Sequence, residues 1–391
     1  MLGAVLILAL GLRVGFGLTR AGLTDSTDEQ HWDGMARVFW QQGLLHPDGG
    51  TYRPPLYPLM LAGIYQIWGH SPGAVRLWQA LLGTATCWLL YRIGWRIGGE
   101  TVGLVAAGLG ALYPLFVFFS GVLMAETLLV FLTTLALLLA LRLEEAPSAG
   151  KAAALGVALG LAGLCKPTAL IWAPLLLGGW WRRSELGWGL RGKRLAATIG
   201  GMGLAIAPWT ARNALVAGCF IPISANAGMN LMIGNEKEAT GTYRQGVDYW
   251  EMFARLTAPA KDPMEKERLA VREVARWIGE SPLRFGRLAV RKLVYLWSPL
   301  VPEESILRNL VSALSCGPVL ALGVWGTWRR RGRPEAWAIG SLMLGLSLVH
   351  AVFFAHTRFR LPIDAALLGP AAWMLQRGWS RFREKIRRAH R

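Results

Sequence analysis

Residues 28–37 read Asp28-Glu29-Gln30-His31-Trp32-Asp33-Gly34-Met35-Ala36-Arg37. A carboxylate at the mouth of a partly dry cavity is the natural base for taking a proton from a sugar hydroxyl, because partial desolvation raises its pKa towards the working pH. Asp28 and Glu29 are the two candidates for such a base. The same residues also suit a plainer part: Ser26 or Thr27 as N-cap, with both acids in the first turn, describes a capped amphipathic surface helix.

Basic residues in rigid settings could answer such a base. In Tyr52-Arg53-Pro54-Pro55-Leu56-Tyr57-Pro58 two prolines impose an extended lead into the next helix and present Arg53 at its start. A guanidinium so placed pairs with phosphate bidentately, or anchors the chain at a membrane interface. Glu126 lies four residues into an apolar stretch, where a carboxylate is costly and marks either function or an internal pair with an arginine. Lys166-Pro167 breaks another apolar stretch, as a cavity lining tolerates. Pro208-Trp209-Thr210-Ala211-Arg212-Asn213 leads to a Gly/Asn-rich run from Ser224 to Asn235. Taken separately these are an interfacial belt and a turn-rich loop. Together, Arg212, Asn213 and Asn235 put amides beside a cation, which suits a sugar or pyrophosphate head. His356-Thr357-Arg358-Phe359-Arg360-Leu361-Pro362 adds two bases where a late helix exits, as ligands or as snorkelling anchors.

Other chemistries lack support. There is no P-loop, no G-x-S-x-G and no HExxH. Cys87, Cys165, Cys219 and Cys316 are scattered without CxxC spacing, so neither a disulfide framework nor a cysteine metal site is expected. Asp28, Glu29, Glu126, His31 and His356 could assemble a divalent site, but no spacing compels one, so the residues leave metal dependence undecided and point to no other cofactor.

These residues must be positioned by helices in a bilayer. Of the 391 residues 53% are hydrophobic and 17% charged, and at about 20 residues per span ten spans would use roughly half the chain. The net charge of +18 would make nucleic acid the first partner of a water-soluble protein, but here the charge lies between apolar blocks. Spans are expected near 2–19, 73–97, 101–119, 122–142, 152–165, 167–181, 195–217, 306–328, 335–355 and 361–376. The first block reads as a retained helix, not a cleaved signal. Basic segments at 92–96, 182–194, 329–333 and 377–391 fall on one side, the cytoplasm under the positive-inside rule. The segment 283–297 is expected as an amphipathic surface helix with Arg284, Arg287, Arg291 and Lys292 near headgroups. All the chemically notable residues then share the opposite face.

In order and sidedness these motifs resemble the polytopic GT-C glycosyltransferases, specifically the bacterial family-39-like members related to protein O-mannosyltransferases and the lipid A aminoarabinose transferase. Asp28-Glu29-x-x-Trp32-x-x-x-Ala36 resembles the family's Asp-Glu-x-x-Tyr-x-x-x-Ala motif, with Trp32 in place of tyrosine. Arg53-Pro54-Pro55-Leu56-Tyr57 is similar to its basic-Pro-Pro element. Glu126-Thr127, Lys166-Pro167 (lysine where many members have arginine), the Pro208 to Asn213 motif with its Gly/Asn run, and Arg358-x-Arg360-x-Pro362 complete the likeness, which runs from about residue 1 to 365. It implies an inverting transfer from a polyprenyl-phosphate sugar, with Asp28 as base and basic residues on the lipid phosphate.

The expectation is therefore an all-α membrane protein of about ten transmembrane helices. It has amphipathic helices in the first extracytoplasmic loop (20–72) and a large extracytoplasmic loop after the seventh helix. The division is 1–217, 218–305 and 306–391. The expected activity is transfer from a polyprenyl-phosphate sugar donor to a glycan, lipid or protein acceptor at the outer face of a bacterial inner membrane, with membrane lipids and no nucleic acid as partners. Asp28 and Glu29 are the candidate bases. Arg53, Glu126, Lys166, Arg212, Asn213, Asn235, His356, Arg358 and Arg360 are the candidate ligands of the phosphate or substrate. A transporter of lipid-linked sugars would instead need charges deep in the bundle and openings on both faces, and a non-catalytic lipid-binding relative would tolerate loss of Asp28.

Overall fold

The computed structural model describes residues 1–20, 22, 27–183, 187–300 and 305–389; Ser26 and the side chain of Thr27, the two expected caps, lie outside what is described. Among the described residues there are helices and no strands. The first half of the chain forms α1 (Leu2–Leu18), α2 (Thr27–Gln41), α3 (Leu56–Trp68), α4 (Pro72–Gly98), α5 (Glu100–Leu112), α6 (Pro114–Ser120), α7 (Glu126–Glu145), α8 (Ala149–Cys165) and α9 (Trp172–Arg183). The second half forms α10 (Trp188–Ala217), α11 (Ala227–Asn235), α12 (Tyr249–Leu256), α13 (Pro263–Glu280), α14 (Pro282–Trp297), α15 (Ile306–Arg329), α16 (Pro334–Val352) and α17 (Leu361–Ala389).

A helix lies at each position where a span is expected. Three are long and apolar enough to cross a membrane, Glu126–Glu145, Asn309–Arg329 and Pro334–Val352, or four if α5 and α6, bent by 55°, act as one. That bend falls at Tyr113-Pro114, where the residue before proline is pushed out of the helical region to φ −66°, ψ 112°. Local chemistry sets other ends too. Ser71 caps α4 by accepting the Ala74 N–H with Pro72 at the first turn, and Asp262 does the same for α13 through the Glu265 N–H with Pro263.

The main core joins α4, α5, α7, α8, α9, α16 and α17 through side chains such as Ile93, Leu137, Leu159, Trp172, Leu342 and Leu367. The backbones of α8 and α10 touch: a Cβ on Gly156 would stand 2.0 Å from the Thr198 carbonyl oxygen, so only glycine fits. A second cluster, including Trp32, Tyr57, Leu61, Leu129 and Cys165, packs α2 and α3 onto α7 and α8. Met229, Tyr249, Phe253, Ala270 and Val274 unite α11, α12 and α13 into a smaller lobe. The start of α2 is thereby fixed beside the start of α7 and the segment leading into α17.

Two expectations change. The Gly/Asn-rich run is not a turn-rich loop, because residues 227–235 are helical, with Glu267 of α13 accepting the Gly228 N–H at 2.6 Å. In α14, Lys292 is fully buried instead of lying at headgroups, donating to Asn235 Oδ1 and the Val352 carbonyl at 2.9 Å each. Its neighbour Arg284 turns to the carbonyls of Asn235 and Lys237.

Candidate active site

Asp28 stands in the first turn of α2, and each of its oxygens meets one guanidinium. Arg53 Nη2 donates to Oδ1 at 2.9 Å and Arg358 Nη2 to Oδ2 at 3.0 Å. The Tyr52-Arg53-Pro54-Pro55 segment is bent instead of extended as expected, with Pro55 already helical at φ −85°, ψ −27°. Arg53 leaves it with its guanidinium over the Trp32 ring, 4.7 Å from the centroid, and its Nη2 3.1 Å from His31 Nδ1. A planar cation on an aromatic face loses little freedom on binding an oxyanion.

The network continues through Arg358, whose Nε is 3.7 Å from Glu126 Oε1, and from Glu126 to Lys166 Nζ at 3.6 Å. Glu126 does not lie inside a span as expected: it is the first residue of α7, where the helix dipole favours an acid. Lys166 leaves the break between α8 and α9 and lies over the Phe359 ring, 4.0 Å from its centroid. Among the described residues, buried Arg358 Nε has no hydrogen-bond acceptor. Three cations therefore surround two carboxylates, with donor capacity to spare.

Burial pushes the Asp28 carboxyl up, but Arg358 and Arg53 outweigh it and hold the group well below the usual carboxylate range. His356 also faces this cluster. Burial, with Arg358 and Lys166 beside it, takes its imidazole down to about 3, so it is neutral at pH 7 and accepts the Arg358 backbone N–H through Nδ1.

These groups line a cavity of about 710 Å³. It holds Asp28, Arg53, Glu126, Lys166, His356 and Arg358 together. The remaining candidates lie elsewhere. Glu29 is buried and accepts the Leu123 N–H at 2.8 Å. Arg212 donates to the carbonyls of Leu44 at 2.7 Å and Gly50 at 2.6 Å, and Asn213 to those of Ile221 and Ile223, tying the first loop to the end of α10. Asn235 bridges Leu231, Val352 and Lys292. Arg360 is wholly buried on Asp364 at 2.7 Å and on the carbonyls of Leu296 and Ser298. Among the described residues no three His, Cys, Asp or Glu side chains converge to hold a metal.

Sequence reasoning missed Tyr52, Tyr243, Gln245 and Trp250, which also line the cavity. No spacing marks them, since Trp250 of α12 reaches the cavity by packing on Tyr52 and His31, and Tyr243, before that helix, by packing on Tyr249. Asn226 and Asn230 line it as well, and their four-residue spacing within the Asn/Gly run was the legible sign.

Residues 52–209 match the family model described as dolichyl-phosphate-mannose-protein mannosyltransferase. All of the chain superposes on the apo oligosaccharyltransferase of Archaeoglobus fulgidus with TM-score 0.58 and 14% identity, covering 52% of that protein. The same archaeal enzyme, AglB, in complex with an inhibitory peptide and a dolichol-phosphate, gives TM-score 0.54 and 15% identity over 99% of the chain and 52% of its own. ArnT from Cupriavidus metallidurans, bound to undecaprenyl phosphate, gives TM-score 0.45 and 17% identity over 95% of the chain and 76% of its own. No curated protein matches the sequence. The chain spans about half the length of the oligosaccharyltransferase whose fold it shares.

Proposed function

We propose that the chain is an inverting glycosyltransferase that moves a sugar from a polyprenyl-phosphate donor to an acceptor hydroxyl at the extracytoplasmic face of a membrane. Asp28 is the base, and Arg53, Arg358 and Lys166 hold the phosphate. The observation that carries this reading is the capture of both Asp28 oxygens by arginines that line an open cavity and keep donor capacity to spare. A sugar phosphodiester brings one negative charge to three cations and two carboxylates. Its oxygens compete with Asp28 for the guanidiniums. As they turn to the phosphate, the carboxylate loses what holds its pKa down, and burial raises it towards the range of a general base. Donor binding thus switches the base on.

In the transfer, Asp28 takes the hydroxyl proton while the acceptor oxygen bonds to the anomeric carbon on the side opposite the phosphate. The bond from that carbon to the phosphate oxygen breaks, and its electron pair leaves with the polyprenyl phosphate, whose second negative charge the three cations stabilise. In this reading ten helical units cross the membrane: α1, α4, the bent pair α5 and α6, α7 to α10, and α15 to α17. Residues 182–194 and 329–333 are cytoplasmic. The test is release of labelled sugar from a polyprenyl-phosphate sugar by the protein in lipid nanodiscs. Asp28→Asn keeps the size and removes the base, so turnover should fall about 100- to 10,000-fold with donor binding retained; near-normal turnover would overturn the assignment.

A further inference from the structure

The two oxygens of Asp28 face different neighbourhoods. Beyond Oδ2 lie Arg358, Glu126 and Lys166, the charged side of the cavity. Beyond Oδ1 and Arg53 lies His31, then Trp250, whose ring is 6.0 Å from His31 and 4.7 Å from Tyr52. Trp250 and Tyr243 are each 48% exposed, an unusual state for large aromatics lining a cavity. Asn226, Asn230 and Gln245 add amides. Apart from Arg53 and Asp28 themselves, the described lining residues on this side carry no Lys, Arg, Asp or Glu. His31 is kept from charging by burial and by Arg53.

We propose that this aromatic side is the acceptor subsite and that it takes an uncharged sugar ring, stacked on Trp250 with a hydroxyl turned to Asp28. The inference rests on the glycosyltransferase reading and adds the acceptor's class to it. A pyranose offers an apolar C–H face and a rim of hydroxyls, which match an exposed indole and neutral amides that both donate and accept. A phosphorylated lipid, an acidic sugar or a basic peptide would bring a charge whose only counter-ions among the described lining residues on this side, Arg53 and Asp28, are already engaged with each other and with the donor, and burying it unpaired would be costly. The direction of attack agrees. The unsatisfied donor of Arg358 draws the phosphate to the charged side, so a hydroxyl approaching from the opposite side of the anomeric carbon comes over Trp250.

The test uses the full chain in nanodiscs containing undecaprenyl phosphate. Binding of mannotriose, chitotriose and trigalacturonate is followed by saturation-transfer NMR, and sugar release from a polyprenyl-phosphate sugar is measured alongside. A neutral trisaccharide should bind at least about tenfold more tightly than trigalacturonate. Trp250→Ala should weaken it about tenfold, the scale of an aromatic stacking contact, and Trp250→Phe should restore most of that. An unchanged affinity in Trp250→Ala, tighter binding of the acidic sugar, or a loss of affinity for the polyprenyl phosphate in its place would each overturn the acceptor subsite while leaving the transferase reading standing. Neutral sugars bound at Trp250 with no sugar released from any lipid donor would overturn the transferase reading and the acceptor role with it.

Discussion

Arg358 and Arg360 belong to one short turn, Thr357–Arg360, yet they serve two different regions. Arg358 opens onto the cavity and divides its contacts between Asp28 and Glu126. Arg360 turns into the packed seam of α14, α15 and α17, fully buried against Asp364, which also accepts the Tyr113 hydroxyl at 2.9 Å. Arg53 and Arg212 repeat the contrast at the other wall: both lie over a tryptophan ring, but Arg53 lines the cavity and Arg212 is bonded to backbone carbonyls. A cation whose partners are loose and solvent-facing can exchange them for a ligand. One whose partners are carbonyls and a buried carboxylate holds the fold.

The largest effect should come from the seam. Arg360→Ala leaves Asp364 buried without its counter-ion and should cost about 3–5 kcal/mol of stability, read as a lower thermal midpoint in detergent. Donor affinity in the folded fraction should stay near wild type; a selective loss of donor affinity with the midpoint unchanged would put Arg360 in the site.

Arg358→Ala should do the reverse. Donor affinity should fall by about 1.5–3 kcal/mol, the range for a hydrogen bond to a charged group, with Arg358→Lys recovering part of it because an ammonium cannot pair bidentately. Arg53→Ala is expected in the same range. Direct titration with a polyprenyl-phosphate sugar measures both, and unchanged affinity in both variants would dissolve the contrast drawn above.

A further effect, confined to acid pH, concerns His356 and Asp28. His356 titrates near 3 when folded, below the ordinary value near 6.5, so between those limits the unfolded chain binds more protons and stability rises with pH. Asp28 acts lower: its depressed folded value adds stability that is present above about pH 4, the ordinary carboxylate value, and is lost as pH falls towards the folded one. His356→Gln should therefore flatten the stability profile between about pH 3.5 and 6.5 and leave the lower limb, which Asp28→Asn should remove. An unaltered profile in His356→Gln would mean that its imidazole is solvated and outside the cluster.

Much of this was written in local chemistry. Apolar runs, prolines and capping residues determined where helices start, bend and stop, because each acts within a turn or two of its own position. The Asp28, Arg53, Glu126, Lys166 and Arg358 motifs were legible for the same reason: an ionisable residue beside an apolar run, or an arginine braced by prolines, is costly wherever the chain goes. What the sequence could not decide was which bases face the cavity. Arg212 and Arg360 carry the same signal as Arg53 and Arg358, and only the packing of α10 against the first loop, and of the Thr357–Arg360 turn against α14, turns them towards carbonyls and Asp364. Glu29 and Asp28 are neighbours in sequence, but about 100° apart on a helix, so one enters the cavity and the other meets the Leu123 N–H. Trp250 and Tyr243 had no local mark at all, since their place beside Asp28 depends on a contact across some two hundred residues of chain. Local interactions are readable one segment at a time, whereas the direction a side chain faces is set by neighbours that only the folded chain supplies.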